Sequence, residues 1–544
     1  MTFIRPIPRA ITRPFSVLIV AGWVASMAAL LDRAYLRASA NLATDLARYG
    51  SDAQWQGVYY RGEKIGFTVR QTLVRDRGYE LQEEGRLRMS LLGATTWTRV
   101  RTVAQVDEEF RLQRFEFSLD PGTGATEIRG DIRDGLLRLT VVTAGGTRTD
   151  QLELAEAPVL ATSIGRRLAS AGLQPGAVHR WMVFDPSTLR NAPLVVRVGE
   201  RGLVRTGTAR SRLPAFRVEM EFAGLRVTSW ITDTGEVVRE ESPLGLVTVR
   251  EPPELARALA VTPRAHADLL ADTAVVPRGR ERISEARDVR RVRLALSGAD
   301  LSGLEIDGLT PTATGAVVDL RDPRFLGAGP ADPAAASYLA AERFVESDDP
   351  AIREEAERAV ANVVGDRARA ERLVRHVHDL LEKRPTVSLP SAREVLRTRT
   401  GDCNEHTVLY VALARAIGIP ARTAVGLAFT RGAFYYHAWP EVYLDEGGGR
   451  GRWLPVDPTF NQFPADAMHL RLARGGLEQQ AAILPLIGRL QIAILDVELD
   501  PNVKQVIVGQ QPDAAAPPVI ALPQPSSARC WDNGPPAVRE DRRR

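Results

Sequence analysis

The stretch that decides the fold is GDCNEH at residues 401–406, together with the apolar run that follows it. Asp402 is a residue type that caps helix N-termini, and Glu405 three residues later completes a capping-box pattern. The apolar run ends at Gly418, as a helix C-terminus commonly does. The pattern predicts a largely buried helix with Cys403 in its first turn. There the helix dipole and the free backbone N–H groups favour a thiolate.

A thiolate nucleophile needs a base, and the aromatic, β-prone run at residues 434–444 offers His437. A second β-prone run ends at Asp457, and three consecutive glycines starting at Gly447 separate the two runs, which is a turn signal. Two adjacent strands would bring His437 beside Cys403, with Asp457 behind the imidazole. This is the arrangement of nucleophile, base and orienting acid that thiol catalysis uses.

Five ordered blocks carry a family resemblance: SAREVL at 391–396, GDCNEH at 401–406, ARAIGIPAR at 414–422, HAWPEV at 437–442 and VDPT at 456–459. With these blocks, residues from about 386 to 472 resemble the transglutaminase-like superfamily, whose core is related to papain-type cysteine peptidases. The resemblance implies an α+β domain and acyl transfer at amide bonds, by cross-linking, deamidation or peptide hydrolysis. It also implies that Cys403 is the nucleophile, His437 the general base and acid, and Asp457 the residue that orients His437.

Acyl transfer also needs hydrogen-bond donors for the developing oxyanion. The backbone N–H of Cys403 is a natural first donor. Related folds often add a Gln or Trp side chain from upstream of the nucleophile, but there is neither residue between Asp348 and Asp402. The second donor must be a backbone N–H or come from elsewhere, which disfavours Gln-to-Lys cross-linking more than it disfavours hydrolysis.

Other interpretations of the same residues stay open. A buried cysteine is often only a structural thiol. Cys403, His406 and His437 have ligand types that suit zinc, although Cys-x-x-His is common by chance. His406 either pairs with the thiolate or packs against its own helix, and His469 is interpreted as structural. We predict that the site uses no metal and no cofactor.

Composition excludes some classes of partner. The chain has 544 residues and a net charge of +4, and acidic residues are interspersed with its many arginines. A polyanion-binding surface is therefore not indicated, and we predict no nucleic-acid partner. Two cysteines far apart in sequence do not form a disulfide framework. The length predicts two to four domains.

An uncharged apolar run at Phe15–Leu31, preceded by Arg5, Arg9 and Arg13, predicts a transmembrane signal anchor. At a rise of ~1.5 Å per residue, the run just spans a hydrocarbon core of ~30 Å. The arginines favour a cytoplasmic N-terminus. We therefore expect a single-pass protein of the inner (cytoplasmic) membrane with most of its chain on the periplasmic, extracytoplasmic side. The alternatives are a cleaved signal peptide, processed near Ala38-Ser39-Ala40, and a buried soluble helix.

The predicted fold class is α+β, in five segments. Residues 1–48 hold the cytoplasmic N-terminus, the membrane helix and a connector. Residues 49–250 show strand alternation with regular turn signals and predict a large antiparallel β domain. Residues 251–345 predict a small β module and linker, and residues 346–500 the transglutaminase-like, papain-like catalytic domain. Residues 501–544 are rich in Pro and Ala and predict a disordered tail.

These features predict a membrane-anchored bacterial member of the superfamily. It would act on protein or peptide amide bonds through Cys403, His437 and Asp457, with a thioester intermediate. The alternative is a non-catalytic envelope interaction or scaffold protein whose transglutaminase-like domain is degenerate. Geometry discriminates between the two, because catalysis requires the three side chains to lie together.

Overall fold

The computed structural model describes residues 53–501, apart from gaps at 92–93, 123, 144–145, 208–210, 259–267, 280–282, 386–387 and 390. The predicted membrane helix and connector within residues 1–48, and the predicted tail beyond residue 501, lie outside the described residues. Within the described part of the chain, no helix combines the length and apolarity needed to cross a membrane. The described fold is mostly β, with large antiparallel sheets and a C-terminal domain of helices and strands.

Residues 54–250 form one 14-stranded antiparallel sheet. Its strands are β1 Gln54–Tyr60, β2 Glu63–Val74, β3 Tyr79–Leu91, β4 Ala94–Val106, β5 Leu112–Asp120, β6 Thr126–Arg133, β7 Leu136–Thr143, β8 Gly146–Glu153, β9 Val178–Asp185, β10 Arg190–Arg205, β11 Arg212–Phe222, β12 Leu225–Ile231, β13 Val237–Glu241 and β14 Leu246–Arg250. The strand order is β8-β7-β6-β5-β4-β3-β2-β1-β14-β13-β12-β11-β10-β9. Helix α1 covers Ile164–Ala171. Strands β1 and β2 pair as an antiparallel hairpin.

Alternating apolar residues explain why this sheet has a buried face. On β5, for example, Phe115, Phe117 and Leu119 are buried and alternate with more exposed polar residues. Phe344 and Leu389, which lie far along the chain, pack into the same apolar cluster. The sheet therefore contacts the C-terminal domain through shared core residues.

The small β module predicted at 251–345 does not stand alone. It contains α2 Pro253–Arg257, α3 Leu269–Asp272, β15 Val289–Ser297, β16 Thr312–Thr314 and β17 Val317–Arg321. Its four-stranded sheet is completed by the strand Gln491–Leu499, which pairs along the length of β15. This strand pairing therefore crosses the predicted boundary at residue 345. A strand from the end of the predicted catalytic segment pairs with the backbone edge of β15, and apolar residues of both strands share one core.

The C-terminal domain is built around the predicted cysteine helix. Its helices are α4 Pro350–Ala359, α5 Asp366–Leu380, α6 Ala392–Thr398, α7 Cys403–Ala416 and α8 Leu477–Gln480. Its strands are β18 Gly329–Pro330, β19 Glu382–Lys383, β20 Thr400–Gly401, β21 Ala421–Thr430, β22 Ala433–Gly447, β23 Arg450–Pro455, β24 His469–Arg474 and β25 Gln491–Leu499. The main sheet has the order β18-β23-β22-β21-β24. The predicted glycine turn connects β22 to β23.

Helix α7 is buried because it is apolar on nearly every side. Leu409, Tyr410 and Leu413 are completely buried in a cluster that α4 and α5 form with the sheet. A helix that is hydrophobic all round belongs in a protein interior. This burial fixes the position of the first turn, where Cys403 lies.

A buried ion cluster joins the sheet of this domain to the preceding module. The Glu441 carboxylate on β22 accepts hydrogen bonds from Arg422 (2.9 Å) and Arg471 (2.5 Å). Arg471 also donates to the backbone carbonyls of Ile306 (2.9 Å) and Asp307 (3.0 Å). Burial alone would raise the pKa of Glu441, but the surrounding arginines hold it at about 2. The carboxylate is therefore ionised and neutralises guanidinium groups that water does not reach.

We predict that Glu441→Gln lowers the free energy of unfolding by about 3–5 kcal/mol at neutral pH, because it leaves buried arginines without a counter-charge. Urea denaturation measures the change. The difference from wild type shrinks as pH falls from about 4.5 towards 2, because this carboxyl then binds a proton in the unfolded wild-type chain while the folded protein still holds it ionised. Glu446→Gln is the matched control, since Glu446 pairs with Arg452 at the surface and its loss costs about 1 kcal/mol or less. Equal effects of the two variants would contradict the prediction.

Candidate active site

The first turn of α7 is closed by the predicted capping box, which is confirmed. The Asp402 carboxylate accepts a hydrogen bond from the Asn404 N–H (3.0 Å), and the Glu405 carboxylate accepts one from the Asp402 N–H (2.9 Å). A Cβ atom at Gly401 would lie 2.2 Å from the Glu405 Cβ. Glycine is therefore needed where the Glu405 side chain folds back over the chain. The cap sets the backbone that presents Cys403.

Glu405 is buried within this cap. Its side chain also accepts a hydrogen bond from the Ser388 hydroxyl. Burial and the neighbouring Asp402 carboxylate raise the pKa of Glu405 well above its usual value. Loss of its proton is therefore disfavoured at this position beside Cys403.

Cys403 is partly exposed and faces β22. It packs with Tyr436 against the apolar cluster of the sheet. The expectation that the helix terminus favours a thiolate is wrong for the Cys403 thiol by itself. The protein surrounds the sulfur closely, and this desolvation, reinforced by the Asp402 charge, raises the pKa of Cys403 well above its usual value. The neighbouring backbone N–H of Ala438 favours the thiolate and offsets only part of this effect.

His437 and Asp457 form a buried pair. His437 lies on β22 and its Nε2 is 2.7 Å from the Asp457 Oδ2. Burial would raise the pKa of Asp457, but the positive charge and hydrogen bonds of the neighbouring imidazoles hold it far below its usual value. The carboxylate is thus ionised, so Nε2 of His437 carries the donated proton and Nδ1 is left as the second ring nitrogen. The Phe460 N–H donates to the other carboxylate oxygen of Asp457 (2.9 Å).

Two aromatic rings flank the imidazole of His437. The Phe460 ring is stacked on it at a centroid distance of 4.8 Å and an interplanar angle of 12°, and Trp439 lies at 6.0 Å and 23°. Phe460 is 39% exposed whereas Trp439 is buried. Phe460 therefore stands at the solvent side of the His437–Asp457 pair, where it limits the access of water to the hydrogen bond.

A second histidine shares the carboxylate of Asp457. The Nε2 atom of His469 is 3.1 Å from the Asp457 Oδ2, and its Nδ1 atom is 2.9 Å from the Asp466 Oδ1. Although burial opposes the charge, the two carboxylates raise the pKa of His469 to about 10. The interpretation of His469 as merely structural missed this contact with the site. The Asp-x-x-His spacing from Asp466 was the available signal, but it does not indicate which other group the imidazole reaches.

Close packing of three strands brings the two histidines together. In the central strand β21, Gly426 is opposite His437 of β22, and β24 with His469 lies on the other side. A Cβ atom at Gly426 would be 2.0 Å from the Leu470 carbonyl oxygen. Glycine therefore permits an approach that any side chain would prevent, and the two imidazole centroids lie 6.0 Å apart.

The groups that could ligate a metal are not those of the zinc alternative. In the chain as described, the cluster of potential ligand atoms within 4.8 Å of one another consists of His437, Asp457 and His469. Hydrogen bonds already join these atoms. His406 donates from Nδ1 to the Asp402 carbonyl (2.7 Å) and is fully buried, so it packs against its own helix. Burial lowers its pKa, which favours the neutral imidazole.

Residues 340–458 match the sequence model of the transglutaminase-like superfamily. The chain therefore contains a transglutaminase-like domain. The matched segment includes Cys403, His437 and Asp457, whereas Asp466 and His469 lie beyond its end.

Comparisons of the whole chain give more distant relatives. Uncharacterized proteins of Mycobacterium bovis and Mycobacterium tuberculosis are 31% identical to it over 120 residues, which is 20% of this chain and 37% of theirs. A crystal structure named "Putative Cysteine Protease" from Cytophaga hutchinsonii is 18% identical, with a TM-score of 0.27, and covers 40% of this chain and 89% of its own. A β-barrel-like protein of a domain of unknown function from Brucella abortus is 14% identical, with a TM-score of 0.29, and covers 37% of this chain and 94% of its own.

We predict that His469→Gln destabilises the fold in a pH-dependent way. Because the pKa of His469 is about 10 in the folded protein and ~6.5 in an unfolded chain, its charged interactions stabilise the fold fully below about pH 6.5. That stabilisation is lost as pH rises towards 10, by up to about 1.4 kcal/mol per pH unit. Urea denaturation of wild type and variant from pH 6 to pH 9 measures the decline in their difference. His376→Gln, which removes another histidine–carboxylate contact (Glu355, 2.7 Å), is the control. A difference that stays constant with pH for His469→Gln would contradict the prediction.

Proposed function

We propose that this protein is a cysteine-dependent amidohydrolase or acyltransferase that acts on protein or peptide amide bonds. The observation that carries the proposal is the buried 2.7 Å contact between His437 Nε2 and Asp457 Oδ2. His437 lies on β22, the strand that Cys403 faces. The next residue on that strand, Ala438, places its backbone N–H near the Cys403 sulfur, where it favours the thiolate. The nucleophile and the base thus belong to one small region of the sheet and its covering helix.

The proposed reaction has two halves. Nδ1 of His437 accepts the thiol proton as the sulfur of Cys403 attacks the carbonyl carbon of the amide. The C–N bond then breaks, the leaving amine takes the proton from His437, and a thioester remains on the sulfur. A water molecule gives a proton to His437 and attacks the thioester, which releases the acid and returns the proton to the sulfur. The Asp457 carboxylate stabilises the imidazolium that forms in each half.

The raised pKa of Cys403 gives His437 a specific task. The sulfur is desolvated and lies near the Asp402 carboxylate, so ionisation without a nearby base is unfavourable. An imidazolium formed on His437 supplies the missing positive charge at the moment the thiolate forms. This coupling is the reason to propose general-base catalysis rather than a preformed thiolate.

Hydrolysis fits the site better than Gln-to-Lys cross-linking. The Cys403 backbone N–H is the proposed first oxyanion donor, and no Gln or Trp between residues 348 and 402 can supply a side-chain donor. We propose water as the main acceptor of the acyl group. A small primary amine is the competing acceptor.

The first test of this proposal is the reactivity of Cys403 towards iodoacetamide at pH 7, measured by mass spectrometry in a Cys530→Ser background that leaves one thiol. We predict alkylation faster than that of free cysteine, and a decrease of at least about tenfold in His437→Gln, because the base that accepts the proton is gone. Asp457→Asn reduces the rate as well, since it removes the group that holds the imidazole. His378→Gln is the control, because His378 bonds the Pro458 carbonyl. An alkylation rate no faster than that of free cysteine would contradict the proposed mechanism.

An unbiased peptide library then identifies the reaction. New chain termini indicate amide hydrolysis, Gln-to-Glu conversion indicates deamidation, and incorporation of a fluorescent primary amine indicates acyl transfer. Every product should disappear in Cys403→Ala and persist in Cys530→Ser. If none forms and the full-length Cys403→Ala variant retains the cellular function, the non-catalytic scaffold alternative is favoured.

We also propose that the N-terminal segment anchors the protein in the inner membrane, with the catalytic domain on the extracytoplasmic side. The support is the uncharged run Phe15–Leu31 and the three arginines that precede it. We predict that the full-length protein stays with membranes at alkaline pH and that deletion of residues 1–48 releases it. A protease added to spheroplasts should digest the catalytic domain, with a cytoplasmic protein as the protected control. Recovery of the full-length protein in the soluble fraction would contradict the proposal.

A further inference from the structure

Behind the proposed base, buried groups form a continuous hydrogen-bonded chain. The Oδ2 atom of Asp457 lies 2.7 Å from His437 Nε2 and 3.1 Å from His469 Nε2. The other nitrogen of His469 is 2.9 Å from the Asp466 carboxylate, which is itself held by the Gln462 amide (2.8 Å). Gln462 also pairs through its backbone with Asp457, at 2.9 and 2.8 Å. These hydrogen bonds form a closed ring of Asp457, His469, Asp466 and Gln462, so each residue fixes the orientation of the next.

This arrangement requires a cationic His469. Each of its ring nitrogens lies within hydrogen-bonding distance of a carboxylate oxygen, and an ionised carboxylate only accepts hydrogen bonds. Both nitrogens must therefore donate. The order of charges from the base outward is Asp457 negative, His469 positive and Asp466 negative.

Aromatic rings and two carboxylates surround His469 in the part of the chain that the structure describes. Trp439 of β22 contacts it edge-on at 5.1 Å, and the Phe460 ring lies at 6.3 Å. Its register partner on β21 is the apolar Ala428. The carboxylates of Asp457 and Asp466 lie within hydrogen-bonding distance of it, and the His437 ring centroid is 6.0 Å away. Further out, His406 interacts with Asp457 and Arg324 with Asp466. The charge of His469 therefore acts directly on Asp457 and His437.

We propose that His469, held by Asp466, is a positioning residue that orients Asp457, offsets its charge, and so sets the pH range in which Cys403 and His437 exchange a proton. The inference rests on the proposed thiol chemistry. Without the positive charge, the full negative charge of Asp457 would bind the proton of His437 more tightly and would oppose the thiolate. Both effects move the working range to higher pH. Without Asp466, the opposite shift is expected while His469 keeps its proton.

The experiment is the pH profile of Cys403 alkylation by iodoacetamide from pH 5 to pH 10, on full-length Cys530→Ser protein in detergent. In His469→Gln we expect both midpoints of the profile to move up by about one pH unit, because a unit charge about 6 Å away is lost. In Asp466→Asn we expect the acid midpoint to move down. His376→Gln, a histidine–carboxylate contact elsewhere in the domain, leaves the profile unchanged. The two opposite shifts distinguish an electrostatic role from loss of packing, which lowers the rate at all pH values.

The outcomes separate the two proposals. If Cys403 of the parent protein is alkylated no faster than free cysteine, the proposed function is contradicted whatever the result for His469→Gln. A fast Cys403 whose midpoints stay fixed in His469→Gln, or move in the same direction in both variants, overturns the role of His469 alone. Elemental analysis of the purified protein adds a further check. One equivalent of zinc that disappears in His469→Gln would assign these groups to a metal and overturn the proposal. If His469→Gln does not fold, the downward shift in Asp466→Asn decides.

Discussion

One buried carboxylate oxygen holds the centre of the C-terminal domain together. The Oδ2 atom of Asp457 lies within hydrogen-bonding distance of two imidazoles, and the residue is 0% exposed. An isolated carboxylate in such an interior would be protonated or strongly destabilising. The cationic His469 and the donor from His437 keep it ionised. Strands β22 and β24 and the loop after β23 together supply the hydrogen-bond donors that surround this one group.

The charges around the sulfur explain why a base is central to the site. A helix N-terminus ordinarily favours an anion. Here desolvation of the sulfur is the larger effect that raises the pKa of Cys403, and the capping carboxylate of Asp402 at that end of the helix adds to it. The same residue that starts the helix therefore opposes the thiolate. The chemistry that we propose at Cys403 then depends on where the proton can go, which connects the sulfur to His437 and, through Asp457, to His469.

The large sheet and the cysteine helix are linked through neighbouring residues. Leu389 packs in the core of the 14-stranded sheet, while the hydroxyl of the preceding Ser388 bonds Glu405 in the first turn of α7. Arg148 of β8 also pairs with Asp348 (2.6 Å) just before α4. The sheet therefore contributes to the walls that position the first turn. These contacts give a physical reason why the β domain is joined to the domain that carries the proposed chemistry.

The sequence by itself determined the local features. Three of them depend on neighbours only a few residues away: the cap at Asp402, the buried helix after it and the glycine turn between β22 and β23. The order of Cys403, His437 and Asp457 is visible in the sequence itself. Such signals survive in a linear pattern. Only the tertiary structure decided the pairing of β25 with β15, the raised pKa of Cys403 and the contact of His469 with Asp457. Strand pairing and desolvation depend on groups that are distant in sequence. The approach of β24 at Gly426 creates the environment of His469, and no local pattern encodes that approach.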